Sequence, residues 1–170
     1  MDFGRLQMGM PDCTHDDLRR TKVDDVRAVE RKQAALFAYC ISYAVLNRPI
    51  AYAMDEDGDY DCVLWHKIDG KSRYTPVQLK EIAPAHLNLR GSIEEGLAKL
   101  KNHYRSSSTI VAFHVDRSGH FDYYSIKKPE TSFAEIWFYA SLTADQPLWG
   151  LYGDLLHEPQ GYEIPWPMPQ

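Results

Sequence analysis

The chain has 170 residues, 44 % of them apolar and 25 % charged, with a formal charge of −5. That length and balance are those expected of one soluble domain around one core. The acidic sign excludes a broad basic surface that grips nucleic acid without selectivity, and leaves room only for a local basic edge.

Residues 1–15 mix Gly4, Gly9 and Pro11 with polar side chains and read as an irregular lead-in. They lack the charged-then-apolar pattern of a signal peptide. No apolar run in the chain reaches the length of a membrane span, so a cytoplasmic protein is expected. Cys13, Cys40 and Cys62 are odd in number, widely spaced and free of any C-x-x-C pair. They suggest reduced thiols, Cys40 and Cys62 in the core, rather than a disulfide framework or a zinc knuckle.

From Asp16 to Leu46 there is no Gly or Pro, and Val26, Val29, Leu36, Phe37, Cys40, Ile41 and Ala44 recur at helical spacing. This predicts a long helix closed by Asn47-Arg48-Pro49, since proline cannot continue it. Residues 50–54 form a short strand candidate and 55–58 a turn. Residues 59–68 and 73–82 are two strand-like runs around Asp69-Gly70-Lys71-Ser72. Pro76 inside the second run points to an edge or a strand start. Ser92-Ile-Glu-Glu95 is a capping box, opening a helix to about residue 105 with Leu97 and Leu100 inward. Residues 108–115 and 120–126 read as a hairpin about a turn at 116–119, and the aromatic run 131–142 as a further helix. The segment 158–170 is too proline-rich for regular structure and is expected to lie over the body through Tyr162 and Trp166.

The order helix, three strands, helix, strand, strand, helix predicts an α/β or α+β fold, a mixed sheet with helices packed against it, in a single domain spanning 1–170. Chemistry concentrates in the hairpin. Asp61, Val63, Trp65 and Lys67 share one side of their strand, and Gln78, Lys80 and Ile82 one side of the next. With Asp69-Gly70 as loop residues Asp61 lies opposite Gln78; with Gly70-Lys71 it lies opposite Lys80. In either register the three polar groups share a face. At 100° per residue, Glu30 falls within the apolar stripe of the first helix, where a carboxylate is costly unless it meets a cation.

A helix Glu, three strands carrying Asp61 and then Gln78-Leu79-Lys80, a helix and a strand resemble the PD-(D/E)xK, restriction-endonuclease-like nuclease superfamily. The match covers residues 20–116, with 117–157 as elaboration ahead of the tail. The resemblance implies an αβββαβ core and a Mg²⁺- or Mn²⁺-dependent endonuclease acting on nucleic acid, taken as DNA. It implies Asp61 as principal metal ligand, Gln78 and the Leu79 carbonyl as further ligands, Glu30 completing the shell, and Lys80 orienting the attacking water. Oxygen donors with few carboxylates suit Mg²⁺. The chain departs from the family pattern in lacking a Pro before Asp61 and in having Gln at 78. An inactive nuclease-like fold that binds protein or nucleic acid is the alternative reading. A homodimer or protein partner is the expected way to enlarge the grip of a small monomer.

Other features read as structural. Arg20, Arg27 and Arg31 share an edge of the first helix with Asp24, and Lys99, Lys101 and Arg105 lie on the second, as mixed solvated faces do. His114 and His120 flank a turn without further ligands, and His66 alternates away from Asp61. The Asp55–Asp59 run lacks the distal Glu of a calcium loop.

Overall fold

The computed structural model describes residues 15–55, 59–100, 107–117, 122–143 and 147–166, with side chains from Val26 onward, Tyr124 excepted. The lead-in with Cys13, the expected end of the second helix at 105 and His120 lie outside the described residues. Helix α1 spans His15–Ile41 and passes into a π-helical turn, Ser42–Leu46. Asn47 ends it in the left-handed conformation at φ 47°, with its N–H on the Ser42 carbonyl. Arg48 N–H reaches the same carbonyl at 3.2 Å and Ser42 Oγ donates to Arg48 O at 2.7 Å, so the exit is pinned just ahead of Pro49. No helix among the described residues is long and apolar enough to cross a membrane.

Strands β1 (Ala51–Met54), β2 (Cys62–Ile68) and β3 (Lys71–Ile82) pair antiparallel in sequence. The β2–β3 loop is Asp69-Gly70, both at positive φ (50° and 76°), and Lys71 pairs with Ile68. These are the dihedral signs of the two-residue hairpin turn whose twist matches its strands. Helix α2 (Ile93–Leu100) follows, with Ser92 Oγ accepting the Glu95 N–H at 3.1 Å. Strand β4 (Ile110–Val115) is parallel to β3, and β5 (Glu135–Ser141) is parallel to β4. Strands β6 (Leu148–Gly153) and β7 (Gln160–Pro165) add antiparallel, and the sheet order is β1-β2-β3-β4-β5-β6-β7. The fold is mixed α+β.

Each helix covers one face. Phe37, Cys40 and Ile41 of α1 pack in a cluster with Cys62, Leu64, Val77, Leu79, Tyr139 and Leu151. Ile93, Leu97 and Leu100 of α2 pack with Ile82, Phe113, Phe138 and Tyr152 on the other side. Strand alternation accounts for the division: odd positions of β3 face α1, even positions face α2.

Three expectations are corrected. The aromatic run 131–142 contains no helix; Ile136, Trp137, Phe138 and Tyr139 are all buried in β5. A central strand buried on both faces is apolar without alternation, which mimics a buried helix. Strand β4 makes no hairpin with the described part of that run, 122–126: its partners are β3 and β5, and Tyr123–Ser125 is a short 3-10 turn. The proline-rich end forms β7, an edge strand in which Pro165 takes the last place. The expected contact with the body is present, since Trp166 meets the Tyr39 ring edge-on at 5.2 Å and Tyr39 OH donates to Pro165 O at 2.8 Å.

Phe37 is fully buried, with its ring 5.6 Å from that of Tyr139. Phe37→Ala is expected to lower unfolding stability by about 3–5 kcal/mol, measured by urea denaturation. Burial pushes the Cys40 and Cys62 thiols up to about 12. Both are therefore expected to resist iodoacetamide in the native protein and to react once it is unfolded, as read by mass spectrometry.

Candidate functional site

The site begins where a ladder stops. Strand β2 pairs with β3 only as far as Cys62↔Val77, while β3 runs on to Ile82. Asp61 N–H still donates to Val77 O at 2.9 Å, and then the Asp61 side chain replaces the backbone: its Oδ2 accepts the Leu79 N–H at 2.6 Å. Asp61 O in turn accepts the Asp55 N–H at 3.0 Å, tying the end of β1 to the same point. Past this point no described strand pairs with β3 on the β2 side, and α1 passes over that edge.

A pocket of about 430 Å³ lies there, lined by Val26, Val29, Glu30, Gln33, Asp61, Leu79, Lys80 and Glu81. Four residues singled out from the sequence thus border one space: Glu30 from α1, Asp61 just ahead of β2, and Leu79 and Lys80 from β3. Gln78 is not in the lining. Extending the register places it opposite Asp61, and alternation turns it to the α2 side with its neighbour on β4, Val111. Lys80 has the same parity as Gln78, but it borders the pocket because β2 no longer flanks β3 at that position. Two further polar residues line the space, Gln33 and Glu81. The spacing of the motif draws attention to 78 and 80; Glu81 shares the α1-facing parity of Val77 and Leu79, the one sequence signal that marks it.

Glu30 does not sit in a packed apolar stripe. Val26 and Val29 beside it are 56 % and 50 % exposed, because α1 overhangs the place where β2 is absent. Glu30 is half-buried at the pocket wall, as are Asp61 and Lys80, while Glu81 is exposed. Among the described residues, Glu30, Lys80 and Glu81 enter no ion pair.

The oxygen donors suit a hard cation: carboxylates of Glu30, Asp61 and Glu81 and the Leu79 carbonyl. Among the described residues no three His, Cys, Asp or Glu side chains already stand close enough to enclose an ion. These residues could therefore supply only part of an ion's shell. Glu81 and His114 are register partners on β3 and β4, so His114 lies on the same face next to the pocket wall. Its ring lies 5.2 Å from that of Tyr139 and stacks on that of Trp149 at 6.0 Å.

A second polar group closes the turn after β6. Asp154 Oδ1 accepts the N–H groups of Ile136 and Leu156 at 3.2 and 2.9 Å, and Oδ2 bonds His157 Nδ1. Both oxygens are thus engaged in holding the loop. Comparison with protein-family models, curated proteins and solved structures finds no match to this chain.

Burial lowers the His114 pKa below its ordinary 6.5, with Asp116 raising it and Lys32 lowering it further. The unfolded chain takes up this proton more readily, so the contribution to stability is complete above about pH 6.5 and is lost as pH falls through the lower native value. His114→Phe keeps an aromatic ring in the stack. It is expected to reduce the fall in Tm between about pH 7 and pH 5, measured by thermal melts across that range.

Proposed function

We propose that this chain is a restriction-endonuclease-like protein that hydrolyses phosphodiester bonds of nucleic acid with Mg²⁺ or Mn²⁺. The observation that carries this reading is the pocket bordered by Glu30, Asp61, Leu79 and Lys80, which come from three separate segments. The element order helix, three antiparallel strands, helix and parallel strand, with a helix on each sheet face, agrees with an αβββαβ core.

Asp61 and Glu30 would hold the metal, with the Leu79 carbonyl and Glu81 as further oxygen donors. When bound, the ion supplies positive charge to the phosphate and makes a water acidic enough to attack. Lys80 adds a cation at the open edge, where it orients that water and offsets charge developing on the phosphate oxygens. Glu81 takes on part of the role that the family pattern gives to the acid at position 78. The overhang of α1, with Val26 and Val29 on the wall, limits water on one side of the reacting group.

A second reading rests on the Asp61–Leu79 bond itself. A carboxylate that terminates a ladder has a structural use without any metal, and Gln78 removes one charge from the site. On this reading the fold binds a partner and performs no chemistry.

Asp61→Asn separates the two, because the amide oxygen still accepts the Leu79 N–H while the charge is gone. Calorimetric titration with Mn²⁺ is expected to show binding by the wild type. The affinity of Asp61→Asn is expected to fall by more than the roughly 10–100-fold that loss of an outer partner costs, with its Tm little changed. Cleavage of plasmid or single-stranded DNA is expected to drop about 10²–10³-fold in Asp61→Ala and in Lys80→Ala. Equal activity in wild type and both variants, or a wild type without affinity for Mn²⁺, would sink the nuclease reading.

A further inference from the structure

Among the described residues no helix lies over the α2-side face of the β1–β3 ribbon. Among the described residues, the cluster around α2 draws nothing from β1 or β2, and nothing from β3 ahead of Ile82. Pairing of β3 with β4 starts only at Val77, so residues 71–76 and their β2 partners extend beyond β4 as an arm. Pro76 fits this position, having no N–H to leave unpaired at the open edge.

Trp65 and Tyr74 are direct cross-strand partners on this arm and share a face. Tyr74 is 69 % exposed and Trp65 half-buried. Lys67 Nζ stands 5.9 Å from the centre of the Trp65 ring. The flanking β1 positions on the same face are Ala51, paired with Trp65, and Ala53, both small and exposed, so β1 puts nothing bulky beside the rings. Lys67 shares the face of the rings, while Lys71 and Arg73 alternate to the other face of the same arm, which carries the single acid Asp69 on a chain whose net charge is −5. An aromatic pair with a cation beside it, on a locally basic arm, is what a flexible polyanion with flat bases requires. A duplex hides its base faces and gains nothing from exposed rings.

We propose that this face of the arm is a stacking platform for single-stranded nucleic acid, with bases on Tyr74 and Trp65 and the phosphates near Lys67. The inference rests on the nuclease-like reading for its direction. Asp61 precedes the same strand, four residues from Trp65 and about 13 Å along it, and Lys80 shares the platform's face of β3. A strand held on this face leads to the edge of β3 beyond Asp61, around which it reaches the pocket on the α1 side, and the substrate class becomes single-stranded rather than double-stranded DNA or RNA.

The test is fluorescence anisotropy with a fluorescein-labelled oligothymidine and with a labelled duplex of equal length, in EDTA so that no cleavage intervenes. The wild type is expected to prefer the single strand. Tyr74→Ala is expected to bind on the order of tenfold more weakly, as loss of one stacked base does, with an unchanged circular-dichroism melt because Tyr74 is exposed. Lys67→Gln is expected to lower the salt slope by about one. Equal binding by wild type and Tyr74→Ala, a preference for the duplex, or no binding of the oligonucleotide by the wild type overturns the platform, whatever protein docks there instead. Single-strand binding lost in Tyr74→Ala together with no cleavage in Mg²⁺ or Mn²⁺ supports the platform and removes the nuclease reading. Duplex cleavage by a protein that ignores the single strand does the reverse.

Discussion

At Leu79 a backbone N–H has lost its strand partner, and the carboxylate of Asp61 takes it at 2.6 Å. An unsatisfied buried donor costs about 1–3 kcal/mol, so a residue with an acceptor oxygen is needed where β2 gives out. Because the acceptor is a side chain, the ladder ends there while β3 continues, and the gap beneath α1 opens. The pocket, the exposure of Val26 and Val29 and the placing of Glu30 all follow from that one departure of the chain from its ladder.

The central strands β4 and β5 hold this gap in place by being covered on both sides. Leu79 and Val77 anchor one side of β3 under α1, while Ile82 anchors its end under α2. Lys80 and Glu81 thus stand on a strand anchored in two separate cores, by Val77 and Leu79 in one and Ile82 in the other. A strand held in this way has little freedom to tilt, which limits changes in the separation of Asp61, Lys80 and Glu81 as solvent or ligand exchanges around them.

Local chemistry is legible in the sequence wherever it sets local geometry. Asp69-Gly70 reads as a turn because its dihedrals need those residue types, and the structure takes the first of the two registers that the sequence leaves open. Pro49 and Ser92 mark helix boundaries for equally local reasons. Partner choice is not legible. Trp137 and Tyr139 face one core while Ile136 and Phe138 face the other, so β5 shows no alternation, and nothing in the run itself says that β4 pairs with it in parallel. The prolines at 159, 165 and 167 disguise β7, whose place at an edge makes Pro165 harmless. The pocket is half legible: Asp61, Lys80 and Glu30 stand out by motif and helical phase. Glu81 matters only once β3 is known to have an open edge over which a helix passes.

The contact between α1 and β7 joins residues 126 apart in sequence, through Tyr39 OH and Pro165 O, with Trp166 against Tyr39. During synthesis the first helix emerges long before the strand that seals its flank. Its apolar side therefore stays partly uncovered until residue 166 has left the ribosome. Together with two parallel strand pairs closed across long connections, this gives the protein a slow, late-closing folding reaction. Release of the chain before Gln160 would leave an uncovered helix flank and an unpaired β6 edge, the surfaces through which incomplete chains adhere to one another.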